Sequence, residues 1–168
     1  MIEVWDRVVR AIHWSVALLV LGNFLNEDGS AWHRYAGYLA AALVLLRLCW
    51  GCVARSHARF SRWWPGLAGI AAYLRATFVG KAPRYLGINP AGAAMAVIIW
   101  TLILSLGTTG WMMGLDAFWG EEWLENLHAA IAYILLACVT LHVLAVIGMS
   151  IRHRENLPKA MLTGKKRP

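Results

Sequence analysis

The sequence HAAIAYILLACVTLH occupies residues 128–142 and continues as VLAVIGMSI to residue 151. No Lys, Arg, Asp or Glu falls between Leu127 and Ile151, and an uncharged run of this length predicts a helix that crosses a membrane. His128 and His142 bracket the stretch, fourteen positions apart. At about 100° and about 1.5 Å per residue, the two imidazoles lie within about 40° of one face and roughly 21 Å apart. Ionisable side chains in a membrane helix indicate function, so this spacing predicts two stacked sites in a bundle.

The composition of the whole chain is that of a membrane protein. Its 168 residues are 60% hydrophobic and 15% charged, with a mean hydropathy of +0.54, and soluble domains of this size are rarely so apolar. The net charge is +7, but the basic residues are spread as membrane orientation requires, so we expect membrane lipid around the chain and no nucleic acid. The length predicts one all-α domain over residues 1–168, an integral membrane four-helix bundle.

Four apolar runs predict the membrane helices, and a long loop separates the second from the third. The spans are predicted at about residues 8–25, 32–53, 91–113 and 127–150. Residues 54–90 form the loop, in which residues 66–79 are predicted to be a short helix lying in the membrane interface. The pair Asn89-Pro90 at the end of the loop is typical of a helix start.

The charges orient the chain in the inner (plasma) membrane. Of the 16 Lys and Arg residues, 14 lie in the N-terminal segment, the 54–90 loop or the C-terminal tail. Both termini and the loop are therefore expected in the cytoplasm. The two opposite loops carry six acids: Glu27, Asp28, Asp116, Glu121, Glu122 and Glu125. This outer face favours a basic redox partner such as a c-type cytochrome, although the acids can also reflect orientation alone.

Four histidines fall into two levels across the membrane. His13 in the first span is level with His142, and His33 at the start of the second span is level with His128. Imidazole is a ligand of haem iron, and a haem held between two helices needs one His from each at the same depth. A single buried His is more often a hydrogen-bonded core residue, but two matched pairs predict two haem sites. The other two, His57 and His153, lie in basic segments and are interpreted as solvated.

Two further side chains are predicted to contact the haems. Gly37 lies one turn after His33 on the same face, where a missing side chain leaves room for a macrocycle. Arg47 faces much the same way one level deeper and is predicted to pair with a propionate of the cytoplasmic haem, as Arg34 would at the outer haem. The alternatives are that small residues let membrane helices approach each other and that Arg47 snorkels to the interface.

Short motifs over nearly the whole chain carry a resemblance to a known family. They are DR and RAIHW within residues 6–14, WHRYAGY at 32–38 with LR at 46–47, YLGINPAG at 85–92, the His128 and His142 pair, and AMLTG at 160–164. In these motifs the chain resembles the prokaryotic cytochrome b561 family, which is similar to the b-type cytochrome subunits of nickel–iron hydrogenases.

This resemblance implies a four-helix membrane protein with two b-type haems, one near each face. The ligands that it implies are His13, His33, His128 and His142, the four residues already paired by depth. One departure is Ile88, which stands where many relatives have His. That position is not counted as an axial ligand, and no quinone or proton-transfer role is assigned to it.

Two His ligands per iron leave no open coordination position, which suits electron transfer rather than oxygen binding. Two haems about 20 Å apart by helix rise form a path across the membrane. We therefore expect a dihaem b-type cytochrome of the respiratory chain, which passes electrons between the quinone pool and a redox partner on the outer face. The alternatives are a superoxide:quinone oxidoreductase and a haem-free membrane transport subunit whose histidines carry protons.

Overall fold

The computed structural model describes residues 1–26, 29–54, 56–63 and 66–168. Six helices make up most of this part of the chain: α1 (Arg7–Phe24), α2 (Ala31–Val53), α3 (Leu67–Phe78), α4 (Pro90–Met112), α5 (Glu122–Arg152) and α6 (Leu157–Thr163). Short 3-10 turns lie at Phe60–Arg62 and Asp116–Phe118, and two strands of two residues each, β1 (Ile2–Glu3) and β2 (Lys165–Lys166), pair antiparallel. The predicted all-α membrane bundle is confirmed.

Three of the described helices, α2, α4 and α5, are long and apolar enough to cross a membrane. The run predicted at residues 8–25 coincides with α1, whose 18 residues include Arg7, Arg10 and His13 in the first two turns. These polar side chains lower the hydropathy of α1, so its assignment as a fourth span remains a prediction. The short helix predicted at residues 66–79 is present as α3, and its place in the membrane interface also remains a prediction.

Side-chain caps set where three of the long helices begin. The Oδ1 atom of Asp6 accepts from the backbone N–H of Val9 at 2.9 Å, and the Asn89 side chain accepts from Gly92 at 2.7 Å, with Pro90 in the first turn. The Ser30 hydroxyl accepts from the backbone N–H of His33, so the cap of α2 lies beside a predicted ligand. Such caps satisfy helical N–H groups that have no partner within the helix.

The helices pack in the order α1, α2, α4, α5, each along the next. Between the two levels of histidines lies an apolar core of buried side chains: Ala40, Val44, Ile103 and Leu135. At Gly107 the backbones of α2 and α4 approach closely, because a Cβ added there would lie 2.9 Å from the Cβ of Ala41. These contacts fix the relative depths of the helices and thereby the levels of the histidines.

The two chain termini close the end of the bundle that carries His13. The backbone N–H groups of Val4 and Trp5 donate to the carbonyl of Gly164 at 2.8 and 3.1 Å. Gly164 ends α6 with a φ of +79°, and an added Cβ there would collide with the Trp5 carbonyl. The indole of Trp14 donates to the Met161 carbonyl at 3.4 Å. The AMLTG motif thus holds the C-terminal segment against the start of α1.

Candidate functional site

The structure brings the four predicted ligands together as two pairs. We call His13 and His142 the inner pair and His33 and His128 the outer pair, after the orientation predicted from the charges. The ring centres of the inner pair are 6.4 Å apart with an interplanar angle of 53°. Those of the outer pair are 6.3 Å apart with an angle of 58°. Each pair joins α5 to another helix, α1 at the inner level and α2 at the outer level.

The separation of the rings fits one metal ion between them. An imidazole nitrogen binds a transition metal at about 2.0 Å, and each ring centre lies about 1.1 Å behind its nitrogen, so two coaxial ligands place their ring centres about 6 Å apart. Both measured separations are close to this value. Two neutral nitrogen donors on opposite sides are the donor set of a six-coordinate haem iron. The residues present therefore fit haem at both levels.

Hydrogen bonding orients His33 for this role. Its Nδ1 atom lies 2.8 Å from the backbone carbonyl oxygen of Asn26. A carbonyl oxygen can only accept, so Nδ1 carries the proton and donates it. The lone pair of the neutral ring is then on Nε2, which is the nitrogen left to bind a metal.

A threonine hydroxyl lies beside the corresponding nitrogen of His128. The Nδ1 atom of His128 lies 2.7 Å from Oγ1 of Thr109 on α4. The Thr109 hydroxyl also lies 3.0 Å from the carbonyl of Ser105, one turn earlier, to which it can donate its single proton. The carbonyl of Leu106, at 3.2 Å, is a second acceptor for that proton. If Nε2 of His128 binds a metal, Nδ1 carries the imidazole proton and donates it to the Thr109 hydroxyl. No pattern in the sequence singled out Thr109.

At the inner pair, His13 is placed differently. The Nδ1 atom of His13 is buried and has no hydrogen-bond partner in the described part of the chain. The ring packs edge-to-face on Trp14, with ring centres 5.1 Å apart. The orientation of His13 therefore depends on packing with Trp14 and His142, whereas the outer ligands are held by hydrogen bonds.

A cavity of about 700 Å³ adjoins the outer pair. This volume lies within the range of cofactor sites in proteins. Gly37, predicted to leave room for a macrocycle, lines it, and so do Arg34 and two glycines on α4 that the sequence analysis missed, Gly107 and Gly110. A Cβ added at Gly110 would lie 3.6 Å from Cε1 of His128, so α4 runs directly against the ligand ring. No periodic pattern on this apolar helix singled them out.

Arg47 is buried, with 6% of its surface exposed. Its guanidinium carbon lies 5.3 Å from the ring centres of Phe60 and Trp100, and Nη2 donates to the carbonyl of Ala58 at 3.1 Å. The Nη1 group is buried, with no partner found among the residues described. The side chain is therefore enclosed by protein groups, two of which belong to the 54–90 loop. Its pairing with a haem propionate remains a prediction, for which Nη1 is the available donor.

A second polar cluster lies at the end of the bundle formed by the termini. Arg84 and Glu155 form an ion pair at 2.9 Å, and this hydrogen bond holds the pKa of Glu155 below its ordinary value. Lys166 donates to the carbonyl of Tyr85 at 3.2 Å, and burial lowers its pKa. The interpretation of His153 as solvated is wrong for one ring nitrogen, Nε2, which is buried beside this cluster and has a lowered pKa because of desolvation.

Comparisons with known proteins bear on nearly the whole chain. A family model described as prokaryotic cytochrome b561 matches residues 4–164, which include both histidine pairs. A protein of Rhizobium leguminosarum bv. viciae, described as a probable Ni/Fe-hydrogenase B-type cytochrome subunit, is similar to the chain. The two are 22% identical over 214 residues, which cover 98% of this chain and 88% of the relative. No solved structure matches the chain.

Proposed function

The chain belongs to the prokaryotic cytochrome b561 family, and from this membership we propose that it is a dihaem cytochrome linking the quinone pool to a redox partner on the outer face. Membership makes it a membrane b-type cytochrome, a haem protein of electron transport. The number of haems, the quinone and the partner belong to the proposal.

The observation that carries the proposal is the pair of ring separations, 6.4 and 6.3 Å, at two levels of one bundle. We assign His13 and His142 to the inner haem and His33 and His128 to the outer haem. When bound, each haem supplies a reversible one-electron couple. If both histidines of a pair bound one iron, no coordination position would remain open, and the site would suit electron transfer rather than oxygen chemistry.

The rest of the chain binds, orients and shields these sites. The hydrogen bond from Nδ1 of His33, and the one that we assign from Nδ1 of His128 to Thr109, would leave Nε2 of each ring as the nitrogen that binds iron. Gly37 and Gly110 leave space for a flat macrocycle at the wall of the cavity. At the inner site the buried Nη1 of Arg47 is the donor that we assign to a haem carboxylate.

The partner that we propose is a basic redox protein on the outer face. Three of the six outer acids, Glu121, Glu122 and Glu125, lie in or next to the start of α5, and Glu125 lines the outer cavity. Asp116 lies in the preceding 3-10 turn. The other two, Glu27 and Asp28, lie outside the described residues. With both termini in the cytoplasm of an inner-membrane protein, these acids would meet a basic surface, for example of a c-type cytochrome. A second candidate partner is a redox enzyme, which is supported by the relative described as a hydrogenase subunit.

The sequence left two alternative functions open, a haem-free transport subunit and a superoxide:quinone oxidoreductase. A haem-free transport subunit does not agree with membership in a cytochrome family. A superoxide:quinone oxidoreductase needs a site for superoxide or quinone, and nothing in the described residues favours one over simple electron transfer. We therefore retain the dihaem electron carrier.

The haem content of the purified protein tests this proposal. A pyridine haemochrome assay against total protein, on chain purified in mild detergent with added haem, should give two haems b per chain. Reduced-minus-oxidised spectra should show low-spin, six-coordinate iron throughout. One haem per chain in membranes as well as in detergent would contradict the proposal, and so would a high-spin fraction that binds carbon monoxide.

A further inference from the structure

We propose that Thr109 is a positioning residue of the outer haem and lowers its reduction potential through the hydrogen bond to His128. This inference rests on the proposed function, because it assumes that His128 is a haem ligand. It assigns a role to a side chain that touches neither the iron nor a substrate, and it acts through the tautomer and basicity of the imidazole.

Haem ligation through Nε2 of His128 would set the direction of the hydrogen bond to Thr109. Thr109 is 6% exposed, so water does not compete for its hydroxyl. Oγ1 can give its single proton to the carbonyl of Ser105 at 3.0 Å or to that of Leu106 at 3.2 Å, and it lies 2.7 Å from Nδ1 of His128. With Nε2 bound to iron, the His128 proton would be on Nδ1 and would be donated to Oγ1.

The hydrogen bond changes the electronic character of the ligand. An imidazole that donates its Nδ1–H to an acceptor becomes a more basic ligand through Nε2. A more basic axial ligand favours the oxidised iron, and hydrogen bonding around the ligands is one of the means by which a protein sets a haem potential. The reaction that is tuned is the gain of one electron by the iron, and no proton moves.

The neighbouring residue supplies a matched control. The hydroxyl of Thr108 donates to the carbonyl of Leu104 at 2.9 Å, the same kind of bond to the preceding turn that Thr109 can make. Thr108 is exposed, and among the described residues its hydroxyl has no hydrogen bond to a histidine. Replacing either threonine by Val removes a hydroxyl from the same turn of α4 with little change in volume. Only the change at Thr109 should alter the outer haem.

The experiment is a potentiometric titration of the haem absorption bands in Thr109→Val, Thr109→Ser, Thr108→Val and the unchanged protein. We expect Thr109→Val to raise the equilibrium constant for reduction of the outer haem about threefold to tenfold. For a one-electron couple this is a rise of about 30–59 mV in the reduction potential. Thr109→Ser, which keeps a hydroxyl, should restore most of the original value, and Thr108→Val should leave it unchanged. The inner haem serves as the internal reference in every sample.

Each other outcome has a defined meaning. An outer potential that does not move in Thr109→Val, with both haems bound, overturns the inference and leaves the dihaem proposal intact. If Thr109→Val loses the outer haem while Thr109→Ser retains it at the original potential, the hydroxyl is needed and the inference is supported. Loss of the haem from both variants assigns Thr109 to packing and overturns it. Failure of the dihaem proposal would be seen separately, because the His128→Ala variant would then retain every haem that the unchanged protein binds.

Discussion

Replacing Gly107 by Ala should force α2 and α4 apart at the level just below the outer site. The new Cβ would lie 2.9 Å from the Cβ of Ala41, whereas carbon atoms in contact are about 3.5–4.0 Å apart. Both atoms are attached directly to helical backbone, so no side-chain rotation relieves the overlap. The helices must separate by about 0.6–1.1 Å, and overpacking of this kind costs about 1–3 kcal/mol.

The displacement should reach the outer haem, because Ala41 and His33 lie about two turns apart on α2. Metal ligation tolerates changes of only about 0.2 Å in bond length, so a shift of His33 relative to His128 weakens the outer site. In Gly107→Ala the outer haem should therefore be released at lower temperature, as followed by loss of its Soret absorbance in detergent. The inner haem, held by α1 and α5, should be affected less.

The control is Gly22→Ala on α1, where an added Cβ meets nothing within 4 Å. Both substitutions gain the same helix propensity, about 1 kcal/mol, so their difference isolates the overlap. If the two variants release the outer haem at the same temperature, the close approach of α2 and α4 is not a constraint on the site and the reasoning is wrong.

Three further predictions address the inner site, the termini and the outer face. Replacing Arg47 by Met should lower the equilibrium constant for reduction of the inner haem about tenfold and leave that of the outer haem unchanged, as measured by redox titration. The reason is that a cation paired with a propionate favours the reduced iron. Glu155 has a lowered pKa when folded, so the stability that it adds is present above its unfolded pKa, near 4.5, and is lost as the pH falls through the folded value. Unfolding in detergent followed against pH should accordingly show a smaller acid loss in Glu155→Gln than in the unchanged protein. Replacing Glu121, Glu122 and Glu125 together by Gln should slow electron transfer to a basic cytochrome at low salt, and the difference should vanish near about 1 M salt.

Much of the fold could be predicted from the sequence because the signals are local. The apolar runs at residues 8–25, 32–53 and 91–113 lie within one residue of the bounds of α1, α2 and α4. The helix α5 begins at Glu122, ahead of the apolar run from which the span was predicted. Its first turn contains acidic residues, which the helix dipole favours there but which do not belong to an apolar run. The pairing of β1 with β2 joins opposite ends of the chain through two residues each, and no local pattern predicts it.

The site was predictable in part, for a related reason. The depth of a histidine follows from helix rise alone, so the sequence indicated which rings share a level, and the structure places them as neighbours. The roles of Thr109 and Gly110 depend on which face of α4 meets α5. Because α4 is apolar around its whole circumference, its sequence marks no such face. The buried Nε2 of His153 was missed because it depends on long-range packing near Glu155 and Lys166.

The most direct test of the two-level arrangement is to determine which haem absorption component is lost when each histidine is replaced. Redox-resolved difference spectra of His13→Ala, His33→Ala, His128→Ala and His142→Ala should fall into two classes. His33→Ala and His128→Ala should each lose the outer component and retain the inner one, whereas His13→Ala and His142→Ala should do the reverse. If His13→Ala and His128→Ala abolish the same component, the pairing of ligands by depth is contradicted.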